Sequence, residues 1–250
     1  MRPLLLIQTG EAPESLRTQF GGFADWFRAA MRVESPQMQI VRVDEGAPLP
    51  AADAIAGAVI TGSAAMVTER ADWSERAAAW IRAAMQEDLP LFGVCYGHQL
   101  MAQALGGTVG WLPAGREMGT QPITRHDPIG EPTWLAGLPA KFPAHTTHRQ
   151  SVLVPPHGAH VLARSERDPH QLLRYGTHAI SAQFHPEFTA EHMRAYIATR
   201  AEALREEGAD PDMLDANVVE TEAARALLAG FAHAALAGKA TPQHQLEQLS

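Results

Sequence analysis

The amino-acid sequence predicts an α/β fold built on a doubly wound, mostly parallel central sheet. Two observations predict it. Short apolar runs at 4–7, 39–43, 58–60 and 90–94 alternate with segments of helical periodicity at 20–31, 72–86 and 99–105, the rhythm of strands joined by crossover helices. The last of these runs ends at Cys95, the single cysteine, with Gly93 two residues before it and Gly97 two after. That punctuation marks a sharp turn from strand into helix. Ligands of such sheets gather beyond the carboxyl ends of the strands, where Thr9-Gly10, Gly62-Ser63 and Cys95 all fall.

Taken in order, Leu4-Leu5-Leu6-Ile7 reads as a strand buried on both faces and ended by Gln8-Thr9-Gly10. Phe20, Phe23, Phe27 and Met31 stand at helical spacing, so one helix is expected over 20–31. Asp72 or Ser74 is expected to cap a helix running to about Gln86, with Trp73, Ala77, Trp80, Ile81 and Met85 on its inner face. After Gly107 the rhythm changes. Strand candidates at 108–112, 120–124, 151–154, 160–164, 171–175 and 179–184 are separated by Pro and Gly with few helices, which predicts a small antiparallel portion. The Pro/His/Thr-rich stretch 139–150 is expected to be a loop overhanging the crevice. Thr189 is expected to cap a helix with Met193, Tyr196, Ile197 and Leu204 inward and Gly208 at its end. Asp210-Pro211 reads as the cap and first position of another. An Ala/Leu-rich amphipathic helix is expected over 221–236, and a frayed polar end over 241–250.

Composition narrows the function classes. The chain has 250 residues, 46% hydrophobic and 19% charged, as an ordinary globular protein has. Its net charge is −8 and it contains no basic block, so nucleic acid and anionic membranes are poor partners. One cysteine excludes an internal disulfide framework. The apolar run at 4–7 is too short for a signal peptide or a membrane span. A cytoplasmic location is expected, where the thiol stays reduced.

A lone cysteine is often a small buried hydrophobe. Here the flanking glycines and the strand-to-helix switch point to a nucleophile lifted above the sheet, with a helix N-terminus favouring its thiolate. Such a nucleophile needs a base, and the base an orienting group. Of the twelve histidines, His185 has the best context. The apolar run Ile180-Ser181-Ala182-Gln183-Phe184 delivers it to a strand end, and Glu187, two residues on, returns to the same side of an extended backbone. His145-x-x-His148 and His157-x-x-His160 have a spacing that metals use on helices, but both lie in Pro/Gly-rich stretches without Asp, Glu or Cys ligands, and no metal or other cofactor is expected. His98 reads as packing.

Gly93-Val94-Cys95-Tyr96-Gly97-His98-Gln99-Leu100 and Phe184-His185-Pro186-Glu187 together resemble the class I glutamine amidotransferases, over residues 4 to the 190s. The resemblance implies a flavodoxin-like three-layer sandwich. It implies a triad of Cys95 as nucleophile, His185 as general base and acid, and Glu187 as orienter, working through a γ-glutamyl thioester. It also implies that Gly62 or Ser63 joins the Tyr96 amide in an oxyanion hole. Gln99 matches the position that binds the α-amino acid end of the substrate. His148-Arg149-Gln150 resembles a His-x-Asp segment bordering the glutamine pocket, with Gln150 in place of the aspartate.

The chain is therefore expected to fold as an amidotransferase-like catalytic domain over 1–190 with a C-terminal helical extension, 191–250, packed on it. No phosphate loop and no second α/β unit are seen, so a stand-alone hydrolase is expected, similar to the glutaminase part of GMP synthase. Its substrate would be glutamine or another small γ-glutamyl molecule. The alternatives are a γ-glutamyl peptidase or γ-glutamyl-amine hydrolase acting alone, and a regulatory subunit of a synthetase that receives the ammonia.

Overall fold

Leu4 to Ile7 have no polar face to show to water, and the strand they form lies just inside the edge strand of a sheet with apolar layers on both sides. The structure, a computed structural model, describes residues 2–126, 133–135 and 137–238; the end predicted to fray lies outside these. In chain order the N-terminal elements are β1 (Leu4–Gln8), α1 (Glu14–Phe20), α2 (Phe23–Met31), β2 (Met38–Arg42), β3 (Gly57–Ile60), α3 (Asp72–Gln86), β4 (Leu91–Val94) and α4 (Tyr96–Ala104). Then come β5 (Thr108–Trp111), β6 (Glu117–Arg125), β7 (Lys141–His148), β8 (Gln150–Val154), β9 (His160–Arg164), β10 (Leu172–Arg174) and β11 (Ala179–Ala182). Four helices close the described chain: α5 (Ala190–Thr199), α6 (Ala201–Glu206), α7 (Pro211–Ala216) and α8 (Glu222–Ala237).

The main sheet runs β2-β1-β3-β4-β11-β10-β9-β6-β7. Its first five strands are parallel, and the pairings from β11 onward are antiparallel. A separate antiparallel pair joins β5 to β8. The period of two sorts β1 between two cores. Leu4 and Leu6 pack with Phe27, Met193 and Phe231 of α2, α5 and α8, whereas Leu5 and Ile7 pack with Ile81 and Leu100 of α3 and α4. This is the predicted α/β, mostly parallel sheet between helical layers.

Several elements differ from the sequence expectation, each for a local reason. The helix expected over 20–31 is two helices, because Gly21 takes a φ of +81° and Gly22 starts α2, its N–H bonded to the Asp25 carboxylate at 3.1 Å. Neither Asp72 nor Ser74 caps α3; Ala71 holds that position, and the buried Ser74 hydroxyl instead accepts from the Tyr96 hydroxyl at 2.7 Å. The stretch 139–150 is not an overhanging loop. It contains β7, which pairs with β6 so that Pro143 faces Pro122. Two residues without an N–H can face each other only where neither is asked to donate to the ladder. The helix expected to run to Gly208 breaks at Arg200, where the Thr199 hydroxyl takes the Tyr196 carbonyl at 2.9 Å and competes with the helical ladder. Thr189 and Asp210 do cap α5 and α7 through their side chains.

Candidate active site

Cys95 sits where β4 becomes α4, with φ +50° and ψ −98°. A side chain in that region costs about 1–3 kcal/mol and persists only where its surroundings over-determine it. Here its N–H donates to the Ala182 carbonyl at 2.8 Å, its carbonyl accepts from Gln99 N at 3.0 Å, and Gly97 N donates to the Thr61 carbonyl at 3.1 Å. The flanking glycines are a packing requirement. A Cβ on Gly97 would lie 2.5 Å from the Ile60 carbonyl oxygen, and one on Gly93 would lie 2.5 Å from that of Gly97. Chain segments 60–62, 93–97 and 182 are thus in backbone contact at one end of the parallel strands.

The turn after β3 is pinned to the turn after β1. Thr9 N donates to Thr61 Oγ1 at 3.0 Å, and Thr9 Oγ1 lies 3.0 Å from the carbonyl oxygens of both Thr61 and Gly62. A Cβ on Gly62 would meet His185 Cε1 at 3.1 Å and Cys95 Cβ at 3.6 Å, so this turn, the cysteine and the imidazole converge. Ser63 and Tyr96 line the same cleft as Cys95. Because α4 starts at Tyr96, its amide is among the first-turn N–H groups with no helical acceptor.

His185 lies three residues beyond β11, which is shorter than predicted. Its N–H donates to the His145 carbonyl of β7 at 2.8 Å, so the strand that sequence reading had taken for a loop holds it in place. Its Nδ1 donates to Glu187 Oε1 at 2.7 Å, and its ring stacks on Phe188 at 4.3 Å. From the C-terminal part, Arg225 of α8 donates to the Glu187 carbonyl at 2.9 Å. Nε2 is buried and makes no well-aligned hydrogen bond. Burial disfavours the charged ring, but the charges of Glu187 and the Cys95 sulfur, with their hydrogen bonds, outweigh it and raise the pKa to about 10. At neutral pH the ring is an imidazolium.

Gln99 is buried in the cleft wall and donates through Nε2 to the Gln150 carbonyl at 2.7 Å and to Gln183 Oε1 at 3.0 Å. The Gln150 side chain donates to Thr68 Oγ1 at 2.7 Å, while its buried Oε1 has no partner. His148 also lines the cleft, with Nε2 3.2 Å from Asp168 Oδ2 and 3.6 Å from Glu117 Oε2. Asp168 further accepts from Ser151 Oγ at 2.5 Å, and Glu117 from Ser165 Oγ at 2.6 Å and Gln171 Nε2 at 2.6 Å. Burial raises the Glu117 pKa; burial would also raise that of Asp168, but His148 and the Ser151 hydroxyl bring it below the ordinary value. His98, buried against Ser181 Oγ at 2.7 Å, is pushed down to about 3 by desolvation and stays neutral. Among the described residues no group of three His, Cys, Asp or Glu side chains is arranged to hold a metal ion.

Sequence reading missed two arginines of the cleft. Arg116, just before β6, and Arg200, at the break between α5 and α6, line it together with Arg149, which had been noted without a role. Nothing in their sequence neighbourhoods marks them, since each reaches the cleft only through tertiary packing.

A strained cysteine elbow at the carboxyl end of a parallel sheet, facing an imidazolium held by a carboxylate, defines a class of cysteine hydrolases on an α/β scaffold. The chain belongs to the class I glutamine amidotransferases, a family of cysteine amidohydrolases: the model of the family described as glutamine amidotransferase class-I matches residues 20–202. It is 32% identical over 187 residues to a glutamine-hydrolysing GMP synthase of Aeropyrum pernix, a match that covers 73% of this chain and 34% of that enzyme. It is 27% identical over 181 residues to γ-glutamyl peptidase 5 of Arabidopsis thaliana, covering 70% of this chain and 72% of the peptidase. In fold it resembles the crystal structure of a glutamine amidotransferase from Thermotoga maritima, with a TM-score of 0.72, 20% identity, and coverage of 94% of this chain and 100% of that one.

Proposed function

We propose that this protein hydrolyses the γ-amide of a γ-glutamyl compound, glutamine or a substituted amide, through Cys95, His185 and Glu187. The observation that carries the reading is the strained Cys95 beside an imidazole whose Nδ1 is tied to Glu187 at 2.7 Å. The Cys95 thiolate attacks the γ-carbonyl carbon, and the tetrahedral oxyanion is met by the amide N–H groups of Tyr96 and of Gly62 or Ser63. His185 gives its proton to the leaving nitrogen as the C–N bond breaks, which leaves a γ-glutamyl thioester. The ring, now neutral, takes a proton from water; the water oxygen bonds to the carbonyl carbon, the C–S bond breaks, and the γ-carboxylate departs. Glu187 holds the ring in orientation throughout. Gln99, His148 and Gln150 form the wall against which the acyl donor rests.

The catalytic unit is taken as 1–190, and the described helices beyond it, to residue 238, as an extension packed on it, the two joined by the Arg225 to Glu187 contact. A reducing cytoplasm suits a mechanism that needs a free thiol. With glutamine the nitrogen product is ammonia, and a synthetase subunit is then the fitting partner, as the match to a GMP synthase suggests. The test is release of glutamate and amine by the purified chain, with glutamine beside a panel of γ-glutamyl amides. Cys95→Ser is expected to lose roughly 10³-fold or more in kcat with an unchanged circular dichroism spectrum. Full activity in that variant would refute the assignment. Negligible hydrolysis by the chain alone, restored by a synthetase subunit, would instead mark a regulated partner.

A further inference from the structure

The cleft beside Cys95 carries more positive charge than glutamine can use. Among the described residues that line it are three arginines, Arg116, Arg149 and Arg200, and no aspartate or glutamate. Arg116 is occupied, holding Glu207 through two bonds of 2.6 and 2.8 Å. Arg149 lies over the Trp111 ring at 5.3 Å and Arg200 over the Tyr196 ring at 5.6 Å, and neither shares an ion pair among the described residues. Stacking uses a guanidinium's face and leaves its N–H edge free for a carboxylate. Arg200 Nε is buried without a hydrogen bond. Burial first, then the charges of Arg116 and Arg149, hold the Arg200 pKa below the ordinary arginine range, while Tyr196 and Cys95 act the other way. The three cations therefore share one field, and Glu207 is the acid that offsets it from outside the cleft.

A second groove, of about 780 Å³, adjoins this cleft; Arg116 and Arg149 are in its wall too, with Trp111 and Leu204, and its acids Glu117, Glu166 and Glu207 lie outside the cysteine cleft's own lining, which has none among the described residues. Glutamine offers one carboxylate, offset by its own ammonium, and its leaving group is ammonia, which needs neither a groove nor a cation. We infer that the acyl donor is a γ-glutamyl amino acid or short γ-glutamyl peptide whose leaving amine carries a carboxylate received by Arg149 and Arg200. The inference rests on the function proposed above and adds the substrate class. The leaving amine takes its proton from His185 as before and departs past Arg149 with its carboxylate.

The test compares γ-glutamylglycine with γ-glutamylethylamide, whose leaving amines are close in size and differ in one carboxylate, and with glutamine. For the unaltered enzyme, kcat/KM is expected to favour γ-glutamylglycine over both by at least about tenfold, the value of one charge-assisted contact. In Arg149→Gln, at an exposed position, and in Arg149→Gln with Arg200→Gln, the ratio between the two substituted amides is expected to fall toward one. Arg149→Lys should keep part of the preference. Because the readout is a ratio, loss of folded protein does not alter it. Turnover that depends on Cys95 but shows no preference, or a preference that survives the double substitution, overturns the charge assignment alone. No turnover of any of the three donors overturns the proposed function and this inference with it.

Discussion

In the parallel half of the sheet, Leu4 to Ile7, Ala58 to Ile60 and Leu91 to Val94 bury hydrocarbon throughout, and polar chemistry appears only past the strand ends, at Thr9, Thr61 and Cys95. In the antiparallel half a polar cluster is buried beside the apolar core, with Glu117, His148, Ser151, Ser165, Asp168 and Gln171 packed against one another. The two halves meet where His185 N bonds to the His145 carbonyl. An apolar half packs rigidly enough to hold a strained cysteine. The polar groups of the other half, bonded in part to one another, hold His148 in the cleft wall through Asp168 and Glu117. The strained cysteine and the buried polar cluster thus lie on opposite sides of the cleft's seam.

The sharpest way to break this contrast is at the seam. Glu187→Gln should lower kcat by roughly 10²-fold or more, by analogy with amide replacement of a triad carboxylate. It should also change the pH dependence of stability. The His185 pKa is raised from 6.5 to about 10, so the stabilisation of its charged form is whole below pH 6.5 and is lost as pH rises through about 10. The melting-temperature difference between the parent and Glu187→Gln should therefore shrink across that window; a difference that stays constant to pH 11 would mean Glu187 does not hold the charge.

In the parallel half, Gly97→Ala should cost about 2–4 kcal/mol, because its Cβ would overlap the Ile60 carbonyl. Gly115→Ala, at a φ of +78° with open space around it, should cost only about 1–2 kcal/mol from backbone conformation alone. Urea unfolding of both variants tests the contrast, and equal losses would deny the close packing at the elbow.

In the antiparallel half, Asp168→Asn should cost about 2 kcal/mol at pH 7 by removing an ionised partner of His148 and Ser151. The Asp168 pKa is depressed, so its contribution is present above its ordinary value of 3.8 and is lost as pH falls through the native value. The gap to the parent in urea should accordingly close in acid; a gap that persists there would locate the cost in packing. The smallest effect is expected for Ser74→Ala, about 1 kcal/mol from the lost bond to the buried Tyr96 hydroxyl, also read by urea unfolding.

Much of this was legible from local chemistry. The elbow was read from Gly93 and Gly97, which the packing around Cys95 requires. The His185 and Glu187 pairing followed from a spacing of two, and caps at Thr189 and Asp210 from their side chains. Other features were not legible. Pro143 made a strand look like a loop, because nothing nearby reveals that Pro122 would face it. Helical spacing joined Phe20 to Phe23 across Gly21, whose positive φ separates two helices.

The sequence alone determined the alternating α/β architecture, the sharp turn at Cys95 and the imidazole–carboxylate couple, because each depends on neighbours a few positions apart. Only the tertiary structure decided that the His145 carbonyl would anchor His185, that Arg225 would hold the Glu187 backbone, and that Arg116, Arg149 and Arg200 would share a cleft. Those contacts join segments far apart in the chain, and strand pairing and helix packing, not local preference, set where such segments meet.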